Sequence, residues 1–345
     1  MGKGFEDPKW KLGNRLGEGG QSHVYLATEK GKENSGSYAL KKLKNTASDQ
    51  AYARFYNEID AVKQLDDPNI IKIVDYSEPD SAEHYYVMEY IEGAQSLDKV
   101  IFSDQNPYYK NALKALDLFE QICLALEACA HAGTPVVHRD ICPQNILFLK
   151  DEKIKLIDFG LCQMENNNLI TLVDEGVGTA NYMAPECESG SVGYITARAD
   201  LYSAAKVMWS AITGERAFAR ESPVFRHNSM NLKCNDEPAT WHLCHLFEKT
   251  IRNDPNNRWG SAQEALSAIK KVRRIVRNGY LPLEEQSFTC PSCGFGDLEP
   301  FPGGPLLSGI KPPNIQAKRC PYCGICLVFD SEIISKNLES KRNLD

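Results

Sequence analysis

Asp140, Asn145 and Asp158 place two carboxylates and an amide within nineteen positions of one another. Such oxygen donors can take up a proton or hold a hard cation. Lys41 closes the apolar run Tyr38-Ala39-Leu40-Lys41. An ammonium buried there needs a paired anion. Glu58 offers one, from a segment with Tyr52, Phe55, Ile59, Val62 and Leu65 at helical steps. Lys42 competes for the role, and a strand-end lysine facing water is the plainer alternative. Upstream lies Gly17-Glu18-Gly19-Gly20-Gln21-Ser22-His23-Val24. Small residues there let backbone N–H groups approach a polyphosphate, although an unliganded glycine hairpin would read the same.

A second set of chemistry-bearing residues is Cys290-Pro291-Ser292-Cys293 and Cys320-Pro321-Tyr322-Cys323-Gly324. Two C-x-x-C pairs separated by 26 residues can close four thiolates around Zn²⁺. Cys326 is a spare. The other seven cysteines are scattered, as small buried hydrophobes in a reducing compartment are. His242 and His245 flank Cys244, but helical spacing does not aim the three at one ion, and a packed histidine is the better reading.

The elements that must position these groups follow from pattern. Strands are expected at Trp10–Leu16, Val24–Ala27, Ser37–Leu43, Ile70–Tyr76 and His84–Tyr90, with a helix over 50–65 ended by Pro68. Beyond residue 96 the pattern turns helical, at Tyr108–His131, Ala197–Thr213, Ala239–Asn253 and Ser261–Asn278. Residues 134–195 between them carry short strands and many polar groups. So long a weakly regular stretch is usually functional.

The order strand, glycines, strand is not that of a dinucleotide-binding turn, which opens a helix. It resembles the protein-kinase glycine loop, with Ser22 in place of the third glycine. His138-Arg139-Asp140-Ile141-Cys142-Pro143-Gln144-Asn145 matches H-R-D-x-x-x-x-N. Asp158-Phe159-Gly160 follows Asn145 by thirteen positions, and Ala184-Pro185-Glu186 comes after Gly178-Thr179. Asp200 in Asp200-Leu201-Tyr202-Ser203 and Arg258 complete the series. In this order they identify a resemblance to eukaryotic-type Ser/Thr protein kinases over roughly residues 8–275.

The resemblance implies an α+β, bilobal kinase fold. A small β-rich N-lobe with one helix would span about 8–90 and a larger helical C-lobe about 91–275. It implies ATP and Mg²⁺, with Lys41 on the phosphates and oriented by Glu58, Asn145 and Asp158 on the metal, and Asp140 receiving the proton of a substrate hydroxyl. Leu16, Gly17, Gly19, Val24, Ala39, Met88, Glu89, Ile91 and Leu147 would surround the nucleotide. Glu186 and Arg258 would form a structural ion pair, and Asp200 would anchor the catalytic loop. Leu161–Asn181 would be the activation segment, with Thr171 as candidate phosphosite, or Asp174 and Glu175 as standing charge. Thr179 would contact Asp140, and Leu161 leans the acceptor toward serine. Cys142 departs from the family, which usually has lysine there, so a weak kinase or a nucleotide-binding scaffold is the alternative. A small-molecule kinase is disfavoured by Ala184-Pro185-Glu186 and Arg258.

After a linker at 276–287, residues 288–330 resemble a zinc ribbon with Cys290, Cys293, Cys320 and Cys323 as ligands, suited to protein docking or stability. A polar tail at 331–345 follows. The chain is 25% charged and 42% hydrophobic, a globular balance. Its net charge of −7 weighs against a nucleic-acid binder. No apolar run reaches the ~18 residues of a membrane span, and the first residues carry no secretory signal. A cytoplasmic protein with ATP and a protein substrate as partners is the expectation.

Overall fold

The structure is a computed structural model. It describes residues 5, 7–32, 36–160, 162–164, 180–188, 195–218 and 237–278, and the backbone of three short strands at 299–300, 315–319 and 326–330.

The N-terminal part is one antiparallel sheet and one helix. Its strands are β1 (Trp10–Glu18), β2 (Ser22–Glu29), β3 (Tyr38–Leu43), β4 (Ile73–Tyr76) and β5 (Tyr85–Glu89), in the order β1-β2-β3-β5-β4. β3 and β5 pair with Ala39 opposite Met88 and Lys41 opposite Tyr86. Directly opposed residues share a face of the sheet, so this register puts Lys41 beside Tyr86. The helix α1 (Asp49–Val62) starts where Ser48 Oγ accepts the Ala51 N–H at 3.2 Å, a side-chain cap. Its inner face buries Phe55, Glu58, Ile59 and Val62. The helix ends before the expected Leu65, because the Leu65 N–H takes the Val62 carbonyl in a tighter turn. The strand expected from Ile70 also begins later, at Ile73. Ile70 instead bridges to Leu156 and Ile71 donates to the Leu156 carbonyl, tying the sheet to the part below.

The C-terminal part is helical. α2 (Leu97–Ile101) precedes α3 (Ala112–Ala130), and α5 (Ala197–Thr213) packs on α3 together with α7 (Ala262–Asn278). α5 is buried on every side from Ala199 to Ile212, as a helix through the middle of a core must be. Gly214, in the left-handed region at φ 69°, caps its end. Short strands β6 (Gln95–Ser96), β8 (Ile146–Phe148) and β9 (Ile154–Leu156) form one small sheet, and β7 (Val136–Val137) pairs with β10 (Gln163–Met164). α4 (Pro185–Glu188) precedes α5 in the chain.

The long helix expected at Ala239–Asn253 is broken. Pro238–Leu243 is a 3₁₀ turn, followed by α6 (Cys244–Glu248). The Thr250 hydroxyl donates to the Leu246 carbonyl, and the Trp259 N–H takes the Lys249 carbonyl. These bonds divert acceptors that a continuing helix would use. His245 and Cys244 are buried in α6.

Near the C-terminus β11 (Glu299–Pro300), β12 (Ile315–Arg319) and β13 (Cys326–Asp330) form an antiparallel sheet in that order, with Arg319 opposite Cys326. Cys290, Cys293, Cys320 and Cys323 lie outside the described residues, as do Leu161, Thr171, Asp174, Glu175 and Thr179.

Candidate active site

Lys41 on β3 and Glu58 on α1 meet between the sheet and the helix. Lys41 Nζ lies 2.8 and 3.0 Å from the two Glu58 oxygens, and 3.1 Å from Asp158 Oδ1. The Glu58 side chain is 3% exposed and that of Lys41 12%, whereas Asp158 is 49% exposed. The open end of this charge cluster is therefore Asp158. Burial alone would lower the Lys41 pKa, but the Asp158 and Glu58 carboxylates outweigh it and hold it well above its usual value. Burial raises that of Glu58, while the Lys41 charge lowers that of Asp158. Lys42 turns the other way, to Glu83 Oε2 at 2.6 Å, so that Lys41 and not Lys42 faces Glu58.

The loop after β7 carries the other groups. Asp200, at the start of α5, accepts the backbone N–H groups of His138 and Arg139, both at 2.8 Å. Burial pushes its pKa up to about 6 despite these two amides. The pair of bonds fixes Arg139 at φ 67°, a left-handed conformation that costs about 1 kcal/mol or more outside glycine. His138 Nδ1 accepts the Asp140 N–H at 3.3 Å and Nε2 donates to the Ile157 carbonyl at 3.3 Å. That arrangement suits neutral imidazole, and burial draws its pKa down to about 4. Asn145 Nδ2 donates to Asp140 Oδ2 at 2.6 Å. Asp140 and Asn145 thus stand side by side.

Phe159 follows Asp158 into the core. It is fully buried, with its ring 4.3 Å from that of His138, and its N–H donates to Glu58 Oε1 at 3.1 Å. Asp158 itself has φ 61°. The bend sends its carboxylate toward the cleft while Phe159 turns inward.

The glycine loop is the β1–β2 turn, with the Gly19 N–H on the Ser22 carbonyl at 2.9 Å. A Cβ on Gly19 would meet nothing closer than 3.5 Å, and one on Gly20 nothing within 4 Å. The chain alone does not demand glycine there, so the open space suits an outside occupant. Lys44, which sequence reasoning missed, donates to the carbonyls of Gly19 and Gly20 at 2.9 and 3.0 Å. Ala39 is buried, Val24, Met88, Ile91 and Leu147 are half-buried, and Leu16 is 45% exposed. Glu89 Oε1 holds Lys155 at 2.8 Å and the Lys72 N–H at 2.9 Å, and its own N–H takes the Lys72 carbonyl.

Two further residues bear on the site. Tyr86 was not singled out by sequence, yet its hydroxyl donates to Glu58 Oε1 at 2.9 Å and Lys41 Nζ lies 5.5 Å from its ring centroid. Only the β3–β5 register reveals it. Cys142 is fully buried, and burial raises its thiol pKa so that it stays neutral. Below the loop, Arg258 and Glu186 form a two-pronged pair at 2.6 and 2.8 Å, with the guanidinium over the Tyr202 ring at 4.7 Å. Such planar pairing is both strong and directional.

The family model for the protein kinase domain matches residues 10–269. A probable serine/threonine-protein kinase of Clostridium perfringens is 31% identical over 277 residues, covering 76% of this chain and 39% of that protein. The serine/threonine-protein kinase PknB of Mycolicibacterium smegmatis is 28% identical, with 76% and 43% covered. The chain therefore spans about two fifths of the length of these curated relatives. The crystal structure of the Mycobacterium tuberculosis PknI kinase domain superposes with a TM-score of 0.57 at 23% identity, covering 79% of this chain and 99% of that one, a likeness of fold. With the motif residues assembled as above and the family model matching most of its length, the chain belongs to the protein kinase domain family.

Proposed function

We propose that the chain is a Ser/Thr protein kinase that transfers the γ-phosphoryl group of Mg-ATP to a protein hydroxyl. The observation that carries the reading is the closed Lys41–Glu58–Asp158 cluster with Phe159 packed beneath it. A disassembled site would have parted these groups. The residues fit Mg²⁺: no hydrogen bond among the described residues uses Asn145 Oδ1 or Asp158 Oδ2, and hard oxygens suit this ion. When bound, the metal neutralises charge that builds on the phosphate oxygens. Lys41 orients the phosphates, and the half-buried apolar residues above and below the cleft hold the base. In the transfer, the acceptor oxygen bonds to the γ-phosphorus as the bond to the β–γ bridging oxygen breaks. The hydroxyl proton passes to Asp140, which Asn145 orients.

A weak kinase is the second reading, and buried neutral Cys142 favours it, since that position supplies no cation to the γ-phosphate. Transfer of label from γ-labelled ATP to serine or threonine of a protein acceptor supports the first reading. ATP binding without any transfer supports the scaffold.

The ribbon reading adds one Zn²⁺ held by Cys290, Cys293, Cys320 and Cys323. Its support is the two C-x-x-C pairs and the hairpin whose strands end at Arg319 and resume at Cys326, bracketing the second pair. We assign it a docking or stabilising role. No helix among the described residues is long and apolar enough to cross a membrane, and a cytoplasmic location remains part of the proposal.

A further inference from the structure

Lys206 lies in the middle of α5 with no exposed surface. Its Nζ donates to the Asn181 carbonyl and, at 3.0 Å, to that of Phe218. It stands 4.9 Å from the Tyr202 ring centroid and 4.8 Å from that of Phe218. No carboxylate among the described residues pairs with it, and the charged or titratable groups nearby are engaged elsewhere. Asp200 on the same helix holds the His138 and Arg139 amides. Arg258, across the Tyr202 ring, is bound to Glu186. The Tyr182 hydroxyl is bonded to Ser210 at 3.0 Å.

Neighbouring Ala204, Ala205, Val207 and Met208 are buried and apolar. An ammonium in such surroundings, without a counter-charge, is costly, and burial draws its pKa down to about 7. Apolar side chains often replace buried charges without loss of stability, so folding alone does not account for this lysine. Its two bonds reach out of the helix to separate segments. One of them, 180–184, shares the buried core with the loop that carries Asp140: Tyr182, Met183 and Ala184 belong to the same apolar cluster as Ile141 and Cys142.

We infer that Lys206 is a positioning residue, its ammonium tying Asn181 and the 180–184 segment to α5 and Phe218 and so fixing the surface beside Asp140 where the acceptor polypeptide lies. The acceptor's place rests on the kinase reading; the tie itself does not. The test uses the full chain, wild type against Lys206→Met, which keeps length and loses the donor. Hydrogen exchange in peptides covering 180–188 should quicken about tenfold. The KM for casein should rise about fivefold or more while the KM for ATP stays level. The melting temperature should match or exceed wild type. Lys206→Gln, with a donor but shorter reach, should fall between. Unchanged exchange and casein KM would overturn the inference. So would lowered melting temperatures in both variants with exchange quickened throughout, since that marks a structural role. If wild type phosphorylates neither casein nor itself, the kinase reading fails, and the local exchange difference still decides the tie.

Discussion

The Tyr86 hydroxyl donates to Glu58 Oε1, the same oxygen that accepts the Phe159 N–H. One carboxylate thus collects Lys41, Tyr86 and the backbone of the Asp158-Phe159-Gly160 turn. Because Glu58 is buried and its carboxyl pKa raised, each donor helps to keep it charged beside Lys41.

Tyr86→Phe keeps the ring against Lys41 and removes only this donor. A hydrogen bond to a charged group contributes roughly 1.5–3 kcal/mol. Part of that should appear as a fall in kcat/KM of about three- to tenfold, and the rest as a melting temperature lowered by a few degrees. Steady-state kinetics checks it. An unaltered kcat/KM would mean that Lys41 and Phe159 suffice to set Glu58.

The sequence made the candidate-site residues legible because Asp140, Asn145 and Asp158 sit in short motifs, while Glu58 stands on the apolar face of a periodic helix. Lys41, Glu58 and Asp158 meet in one cluster and Asp140 pairs with Asn145, residues the kinase resemblance singles out, and Asp200 reaches back to the loop. Tyr86 was not legible. It lies in an apolar run like any strand residue, and its contact with Glu58 depends on the pairing of β3 with β5, distant in sequence. Lys206 hides differently: one lysine in a helix reads as a solvated face, and only packing on all sides of α5 buries it. The broken helix at Ala239–Asn253 follows the same rule. Its apolar periodicity is real, but the Trp259 N–H takes the Lys249 carbonyl and the Thr250 hydroxyl bonds the Leu246 carbonyl, which ends the ladder.

His138 and Asp200 should oppose each other in acid. The folded-state pKa of His138 is depressed to about 4, so its contribution to stability is present above the unfolded value near 6.5 and is lost as pH falls toward 4. That of Asp200 is raised to about 6, so its contribution is present below the unfolded value near 4 and is lost as pH rises through 6. The two slopes have opposite sign in one window. Urea midpoints of wild type and His138→Gln between pH 4 and 6.5 should therefore diverge. The wild type loses ground relative to the variant as pH falls. Parallel curves would contradict the buried neutral imidazole.

For the ribbon, metal analysis of the purified chain should give one zinc per molecule. Thiolate ligation contributes folding energy to small units of this kind, so a strong chelator should release the metal and unfold the ribbon while residues 10–269 keep their transition. Absence of zinc, with Cys290, Cys293, Cys320 and Cys323 all reacting freely with a thiol reagent, would remove the ribbon reading.

The most direct measurement compares wild type, Asp140→Asn and Asp158→Asn for label transfer from γ-labelled ATP and for nucleotide binding. Wild type should phosphorylate serine or threonine. Asp140→Asn should lose transfer, by about a hundredfold or more, and still bind ATP. Asp158→Asn should lose Mg²⁺-dependent binding and transfer together. Normal turnover by Asp140→Asn, or no transfer by the wild type under any condition that supports ATP binding, would contradict the account.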